Sequence, residues 1–194
     1  MKLLISFLFL ILSFPSLTKA DNISEFELEG ISIGDSLLNY ISEEEIKKEE
    51  QFLYDNKKFA NTYIRKNSDI YNIEKYDALS VAYKRLDKKY IVHSIEGQIT
   101  YKDNIAECYE LKKIIETDLI DLFQKKFNSY ERPHFVDPTG NSIASTSDMY
   151  FDDGATVRVI CYDMSQKLSD EKGWWDRMAV IVNSSEFSKF LNNQ

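Results

Sequence analysis

The sequence predicts an α+β fold: an antiparallel sheet of about five strands in two hairpins plus one strand, with one long helix and short terminal helices packed on one face. Two alternating stretches, at 76–101 and 145–164, predict the two β-hairpins. A helical apolar periodicity from Ile105 to about Phe127 predicts the long helix between them. The remaining strand is predicted at 177–183.

The first twenty residues have the three parts of a secretory signal peptide. Lys2 precedes an apolar run over residues 3–14, and a small-residue ending reaches Ala20. The alternative is an uncleaved membrane anchor. However, the run is shorter than the roughly 20 residues that a bilayer core requires, and Pro15 would break it. We therefore expect cleavage after Ala20 and a protein that is periplasmic or secreted.

Cleavage divides the chain into a signal peptide at 1–20 and a single α+β domain at 21–194. The leader contains two lysines and no acids, so the domain carries 22 basic and 32 acidic side chains. Such an acidic balance opposes binding to nucleic acid or to an anionic membrane surface, because both require neutralising lysines and arginines. We expect no nucleic-acid partner and no stable membrane insertion after leader cleavage.

The N-terminal part of the domain is predicted to form a small helical corner. Residues 31–36 are predicted to be a short strand or arm that turns into a first helix. Ser42 and Glu45 have the spacing of a capping box, which begins a second short helix that runs through Glu50. In the polar passage that follows, residues 59–64 are predicted to form an edge strand.

The first hairpin is predicted to have strands at 76–84 and 90–101, and it carries one of the two histidines of the chain. His93 is predicted to share a strand face with Ile91 and Ile95, because alternate residues of a strand point to the same side. Gly97 lies inside the second strand and indicates a bulge or a bend.

The long helix is predicted to bury one apolar stripe against the sheet. Its members recur at helical spacing: Ile105, Cys108, Leu111, Ile115, Leu119, Leu122 and Phe123. Lys112 and Glu116 are predicted to face away from this stripe. Because Cys108 lies on the stripe, its position favours a structural role over a reactive one.

The C-terminal part is predicted to hold the longest loop, the second hairpin and a short capped helix at the end. Residues 129–147 contain prolines, a glycine and several hydroxyl side chains, which are typical of a loop. The strands at 145–151 and 155–164 flank the turn Asp152-Asp153-Gly154, since Asp-Gly is a strong hairpin signal. Residues 165–176 are predicted to form a polar loop.

Two cysteines, Cys108 and Cys161, are present, and both lie in the predicted exported part. An even count in an oxidising compartment favours one disulfide between them. Two alternatives remain open at this point: a pair of buried free thiols, or a nucleophilic Cys108 partnered by His93.

Residue types that carry chemistry are sparse. His93 is expected to be a core or cross-strand histidine, and His134, which follows a proline in the long loop, an exposed turn residue. Asp148, Asp152 and Asp153 crowd one hairpin, but they lack the ligand spacing of a calcium loop. The chain has no G-x-S-x-G elbow and no phosphate-binding glycine motif. We therefore predict no metal site and no cofactor.

The adjacent pair Trp174-Trp175 ends the polar loop before the last strand. Tryptophans in such a loop can stack on a sugar ring or anchor a partner protein. The simpler interpretation is that one of them covers the end of the core while the other faces solvent. We retain both residues as candidate partner-binding positions.

Two resemblances follow from these residues. The stretches EGISIGDSLL at 29–38, IEGQITY at 95–101 and VICY at 159–162 are similar to a group of small exported proteins of marine alphaproteobacteria (Pelagibacter-like), which implies export. Residues 31–51 resemble the start of BamE-like outer-membrane-assembly lipoproteins and of β-lactamase-inhibitor-type envelope domains. Those domains open with I-x-x-G-M-[ST], fold as helix–helix–sheet and bind other proteins. This chain has Asp35 in place of the usual methionine, and it has no lipid-bearing cysteine.

These patterns predict an exported, non-catalytic globular domain that binds a protein or an envelope component. The alternative is a small exported hydrolase that uses His93 or His134 with nearby carboxylates. The two hypotheses differ in whether either histidine lies within hydrogen-bond reach of a carboxylate inside a pocket.

Overall fold

The main sheet is built from two antiparallel four-stranded meanders that are joined by one long helix. The computed structural model describes residues 22–52, 58–102 and 104–193, so the leader predicted at 1–20 lies outside the described residues. The strands are β1 (Glu27–Leu28), β2 (Ile31–Ser32), β3 (Glu50–Gln51), β4 (Phe59–Arg65), β5 (Ala78–Lys84), β6 (Val92–Lys102), β7 (Asn128–Pro133), β8 (Ile143–Tyr150), β9 (Thr156–Asp163) and β10 (Asp176–Asn183). The α-helices are α1 (Glu43–Lys48), α2 (Ile105–Phe123), α3 (Gln166–Lys172) and α4 (Ser185–Leu191).

The eight strands of the main sheet follow the order β3-β4-β5-β6-β10-β9-β8-β7, and all neighbours are antiparallel. A separate two-stranded sheet pairs β1 with β2. The predicted α+β class with an antiparallel sheet is therefore confirmed, and both predicted hairpins are present as β5–β6 and β8–β9. The predicted number of about five strands is wrong, because β3 and β7 add two strands and β4 is a full interior strand rather than an edge.

Strand β7 lies inside the stretch that was predicted to be the longest loop. All six of its residues are exposed, so its sequence has no apolar alternation from which a strand could be predicted. Helix α3 likewise occupies a stretch predicted to be a polar loop; it has about two turns, and it is capped by Gly173 in the left-handed conformation (φ 66°).

One face of the sheet packs on α2 and on the N-terminal segment. Alternation places Val81, Ile95, Val159 and Val180 on this face, together with the buried residues of the N-terminal segment. Cys161 of β9 is bonded to Cys108 of α2, with 6.0 Å between their Cα atoms, so the predicted disulfide pair is present in the structure.

The opposite face carries α4, which contradicts the prediction that all helices pack on one face. Phe187 and Phe190 of α4 pack on Phe59 of β4 and Ala82 of β5 in a second, smaller apolar cluster. Ser184 accepts a hydrogen bond from the Phe187 amide at 3.2 Å and so caps the helix, as predicted, directly after the last strand.

Helix α2 packs most of the predicted stripe against the sheet. Cys108, Leu119 and Phe123 are buried, Ile105, Leu111 and Ile115 pack against the same core, and Leu122 is exposed. Lys112 is only 8% exposed because its Nζ donates to Ser147 Oγ at 2.8 Å and lies 3.0 Å from Glu116 Oε1. The prediction that Lys112 faces away from the sheet is therefore wrong. The helix also ends four residues earlier than predicted.

Gly97 makes room for an aromatic ring and does not mark a bulge. A Cβ atom at this position would lie 2.6 Å from Cδ1 of Tyr76. The irregularities of the β6 pairings lie elsewhere, between Ala82 and Tyr83 of β5 and between Asp176 and Arg177 of β10.

Two local sequence signals are confirmed, one at the start of a helix and one in a hairpin turn. The Ser42–Glu45 capping box begins α1, with both of its hydrogen bonds formed. Gly154 of the predicted hairpin turn has φ of +93°, which is the conformation that favours glycine. In the part of the chain that the structure describes, no helix has the length and apolar character needed to cross a bilayer.

Candidate functional site

The face of the main sheet opposite α2 is largely polar, and α4 covers only one end of it. We call this surface the open face. Every second residue of each strand points to this face, on both sides of the β6–β10 pair. Its polar side chains are Asn61, Ser80, Ser94, Glu96, Gln98, Asp148, Thr156, Arg158, Arg177 and Asn183.

A small cavity of about 120 Å³ lies on the open face, beneath the end of α4. One wall is a row of directly paired residues on four neighbouring strands: Ser80, Glu96, Ile181 and Arg158. Among the described residues, the lining consists of Asn61, Ser80, Ser94, Glu96, Arg158, Ile181, Asn183, Phe187 and Leu191. Six of these nine residues are polar and form the floor with Ile181, whereas Phe187 is buried and Leu191, which is 36% exposed, forms an apolar rim.

Neutral amides and hydroxyls hold one another in place along this floor. Asn61 Nδ2 donates to Ser80 Oγ at 3.1 Å, and Ser94 Oγ donates to Asn183 Oδ1 at 2.7 Å. Asn183 Nδ2 in turn donates to Thr156 Oγ1 at 3.1 Å. The Oδ1 atom of Asn61 is buried and has no hydrogen-bond partner among the described residues. Buried polar atoms are rarely left in that state.

Glu96 is the carboxyl group of the cavity. Gln98 Nε2 donates to its Oε1 at 2.7 Å, and the Tyr63 hydroxyl donates to Gln98 Oε1 at 3.2 Å. Burial raises the pKa of Glu96, although the hydrogen bond from Gln98 and the charge of Arg177 oppose this shift. The carboxyl therefore keeps its proton to a higher pH than an exposed glutamate does.

Arg158 is held in a fixed position by a buried carboxylate. Its Nε and Nη2 atoms both donate to Asp148, which is 2% exposed; the Nη2 bond is 2.9 Å long. The hydrogen bond with Asp148 raises the pKa of Arg158. Tyr130 and Tyr150 donate their hydroxyls to the same carboxylate, at 3.1 and 3.3 Å, while their rings remain 40% and 54% exposed.

His93 does not lie where alternation placed it. The irregularity opposite Ala82 and Tyr83 turns its ring toward Phe59, at 5.3 Å between ring centroids, whereas Ile95 lies in the core under α2. Its Nδ1 is 3.2 Å from Ser184 Oγ and 3.9 Å from Glu186 Oε2. A catalytic triad requires the nucleophile and the carboxylate on different ring nitrogens. Here both groups approach the same nitrogen, and the carboxylate is beyond hydrogen-bond distance.

His134 is buried, so the prediction of an exposed turn residue is wrong. It is 5% exposed because its ring stacks on Phe135 and meets the edge of Tyr162, with centroid distances of 5.0 and 5.1 Å. Burial lowers the pKa of His134, and the charges of Arg177 and Arg132 lower it further. Its environment is that of a packed aromatic side chain.

The tryptophan pair divides between two environments. Trp174 is 37% exposed and Trp175 is half-buried. The backbone of this loop is anchored because Ser169 Oγ donates to the Trp174 carbonyl at 2.8 Å. The pair does not line the cavity of the open face.

The three aspartates of the second hairpin have separate structural partners. Asp148 pairs with Arg158, Asp152 lies 2.9 Å from Lys125 Nζ, and Asp153 accepts the Ala155 amide at 2.9 Å. Across residues 22–52, 58–102 and 104–193, no group of three or more His, Cys, Asp or Glu side chains is arranged to hold a metal ion.

No family model, curated protein or solved structure matches this chain. Its site is therefore interpreted from its own geometry. Sequence reasoning did not single out Glu96 or Arg158, because the sequence offers 32 acidic residues and does not state which strands are neighbours. The period-two polar pattern Ser94-x-Glu96-x-Gln98 was the available signal for a polar sheet face.

Proposed function

We propose that this chain is an exported, non-catalytic domain that binds a protein or an envelope component through the open face of its sheet. The observation that carries the proposal is the cavity with its ordered polar floor, in which a buried oxygen of Asn61 has no hydrogen-bond partner in the part of the chain that the structure describes. Binding sites are typically concave and hold a few polar groups in fixed positions.

Fixed side chains around the cavity support binding. Arg158 is positioned by Asp148, and Asp148 is itself positioned by Tyr130 and Tyr150. A surface whose side chains are ordered before the partner arrives loses less conformational entropy when it binds.

The compartment is proposed from two independent features. The Cys108–Cys161 disulfide is typical of a non-reducing compartment. The sequence pattern of residues 1–20 is typical of a secretory signal peptide and therefore supports a periplasmic or secreted location. Trp174 and Trp175 remain a second proposed contact region, with Trp174 accessible to a partner.

A capture experiment tests the proposal. The protein, purified after export, is immobilised and exposed to envelope extract from its source cells, and the bound material is quantified. Leu191→Trp places bulk at the rim of the cavity, and Trp174→Ala/Trp175→Ala removes the second region. Ile114→Trp adds the same bulk to an exposed position of α2 and is the matched control. We expect capture to fall at least about tenfold for Leu191→Trp and to persist for Ile114→Trp. Equal capture by both variants would contradict the open face as the binding surface.

The second candidate is a small exported hydrolase that uses His93 or His134. The observation that favours it is the approach of Ser184 and Glu186 to His93. Hydrolysis of p-nitrophenyl acetate by the wild type and by His93→Gln, measured against the buffer rate, tests this candidate. A rate above buffer that His93→Gln abolishes would support the hydrolase and contradict a non-catalytic domain.

A further inference from the structure

We propose that the cavity of the open face binds the edge of a neutral sugar residue. This inference rests on the proposed function and names the chemistry of its ligand. A sugar presents several hydroxyl groups, each of which both donates and accepts, beside a less polar ring face. The cavity presents the complementary set: amide, hydroxyl, carboxyl and guanidinium groups on its floor and apolar side chains on its rim.

The charges around the cavity favour a neutral ligand. Arg158 is the one cation of its lining, and its charge is already balanced by bidentate pairing with Asp148. An anionic ligand would compete with Asp148 and would also face the carboxyl group of Glu96. A cationic ligand would lie beside the Arg158 guanidinium. Because a buried unbalanced charge is costly, either kind of ligand would be disfavoured relative to a neutral one.

The volume of the cavity limits the size of the ligand that it can hold. At about 120 Å³ the cavity is smaller than the roughly 300–1,000 Å³ of sites for drug-sized ligands, so it accommodates part of one ring. The remainder of the ligand lies on the open face, against Leu191 at the rim, since Phe187 is only 2% exposed and contributes to the wall inside the cavity. These apolar side chains can contact the less polar face of a sugar ring while the polar groups of the floor bind its hydroxyls.

The tyrosine pair extends the site beyond the cavity. Tyr150 and Tyr130 lie on the same face as Arg158, because all three meet at Asp148. Their exposed rings are held by these hydroxyl hydrogen bonds and are therefore ordered platforms. A second sugar unit linked to the first would lie against them. A glycan end would therefore contact Tyr150 through its second unit, whereas a free monosaccharide would not.

An NMR titration tests the inference. The side-chain amide signals of Asn183 and Gln98 are followed in the exported protein while D-glucose, D-galactose or D-mannose is added, with D-glucuronate and D-glucosamine as charged counterparts. We expect at least one neutral sugar to shift both signals saturably, and both charged sugars to bind at least about tenfold more weakly. Asn61→Leu keeps the branched shape of the side chain and removes the amide, so we expect about tenfold weaker binding. Because Ser80 loses its partner, the urea midpoint of this variant should also fall, and the titration is therefore run under conditions in which its NMR spectrum shows a folded protein.

The source of the sugar is tested with a longer probe. Maltotriose binding to wild type and to Tyr150→Ala is compared. Leu86→Ala is the control, because Leu86 is exposed and does not line the cavity. Weaker binding of maltotriose by Tyr150→Ala alone, with glucose binding unchanged, assigns the site to a glycan end; unchanged binding of both ligands by Tyr150→Ala assigns it to a free sugar.

Stronger binding of glucuronate or glucosamine than of any neutral sugar, or no saturable shift with all five monosaccharides, would overturn the inference. The proposed function would then stand or fall separately, on whether Leu191→Trp still abolishes capture from envelope extract.

Discussion

Reduction of the Cys108–Cys161 disulfide is expected to lower the free energy of unfolding by about 4 kcal/mol. The bond joins α2 to β9 across a sequence separation of 53 residues. For a loop of this length, the chain-entropy model gives about 14 cal/mol/K, or about 4 kcal/mol at 25 °C. Since a domain is typically stable by about 5–15 kcal/mol, this is a large share of its stability.

Urea denaturation with and without reductant, followed by tryptophan fluorescence, measures this change. With a slope of roughly 2 kcal/mol per molar urea, the midpoint should fall by about 2 M on reduction. Cys108→Ala/Cys161→Ala is the control, because its midpoint should not respond to reductant. A fall of less than about 1 kcal/mol, or two thiols that can be alkylated before reduction, would refute the reasoning.

Three further predictions follow from single side chains. Burial raises the pKa of Glu96, so the protonated side chain contributes its full stability below the pKa of the unfolded state, and this contribution is lost as the pH rises through the pKa of the folded state. Glu96→Gln should therefore have the same urea midpoint as wild type near about pH 4 and a higher midpoint near about pH 8. Gly97→Ala should destabilise by about 1–3 kcal/mol because the new methyl would meet the Tyr76 ring, and Tyr76→Leu in the same chain should recover part of the loss. Lys112→Met should cost about 1–3 kcal/mol because Ser147 and Glu116 lose their shared partner, whereas Lys113→Met on the exposed side should change the midpoint little.

The elements with a clear period were predictable from the sequence. Strands β5, β6, β8, β9 and β10 and helix α2 begin within about two residues of their predicted starts, because alternation and the helical period reflect which side chains are buried. The disulfide was predictable because the predicted exported part contains an even number of cysteines, Cys108 and Cys161, and an oxidising compartment favours their pairing.

The missed elements lack such a signal. Strand β7 is exposed along its whole length, so its sequence lacks the alternation of buried and exposed residues that predicts a strand. The face chosen by α4 depends on Phe59 and Ala82, which are distant in sequence. His134 was predicted to be exposed because it follows a proline in a loop, but its partner Tyr162 comes from another strand.

The candidate site depends on strand order more than on any motif. Glu96 and Arg158 line one cavity because β10 lies between β6 and β9 and places Ile181 directly between them. No local sequence pattern shows that the last strand of a chain is inserted at the centre of the sheet, because this pairing joins residues that are distant in sequence. The row of paired residues from Ser80 to Arg158 could therefore be identified only in the structure.

The most direct measurement for the central claim is chemical-shift mapping of the ¹⁵N-labelled protein with the envelope fraction that it captures. If the open face is the binding surface, the side-chain amides of Gln98 and Asn183 and the backbone amides of β6 and β10 around Glu96 should shift or broaden together. Perturbation confined to α2, with the amides around Glu96 unchanged at saturation, would contradict the account.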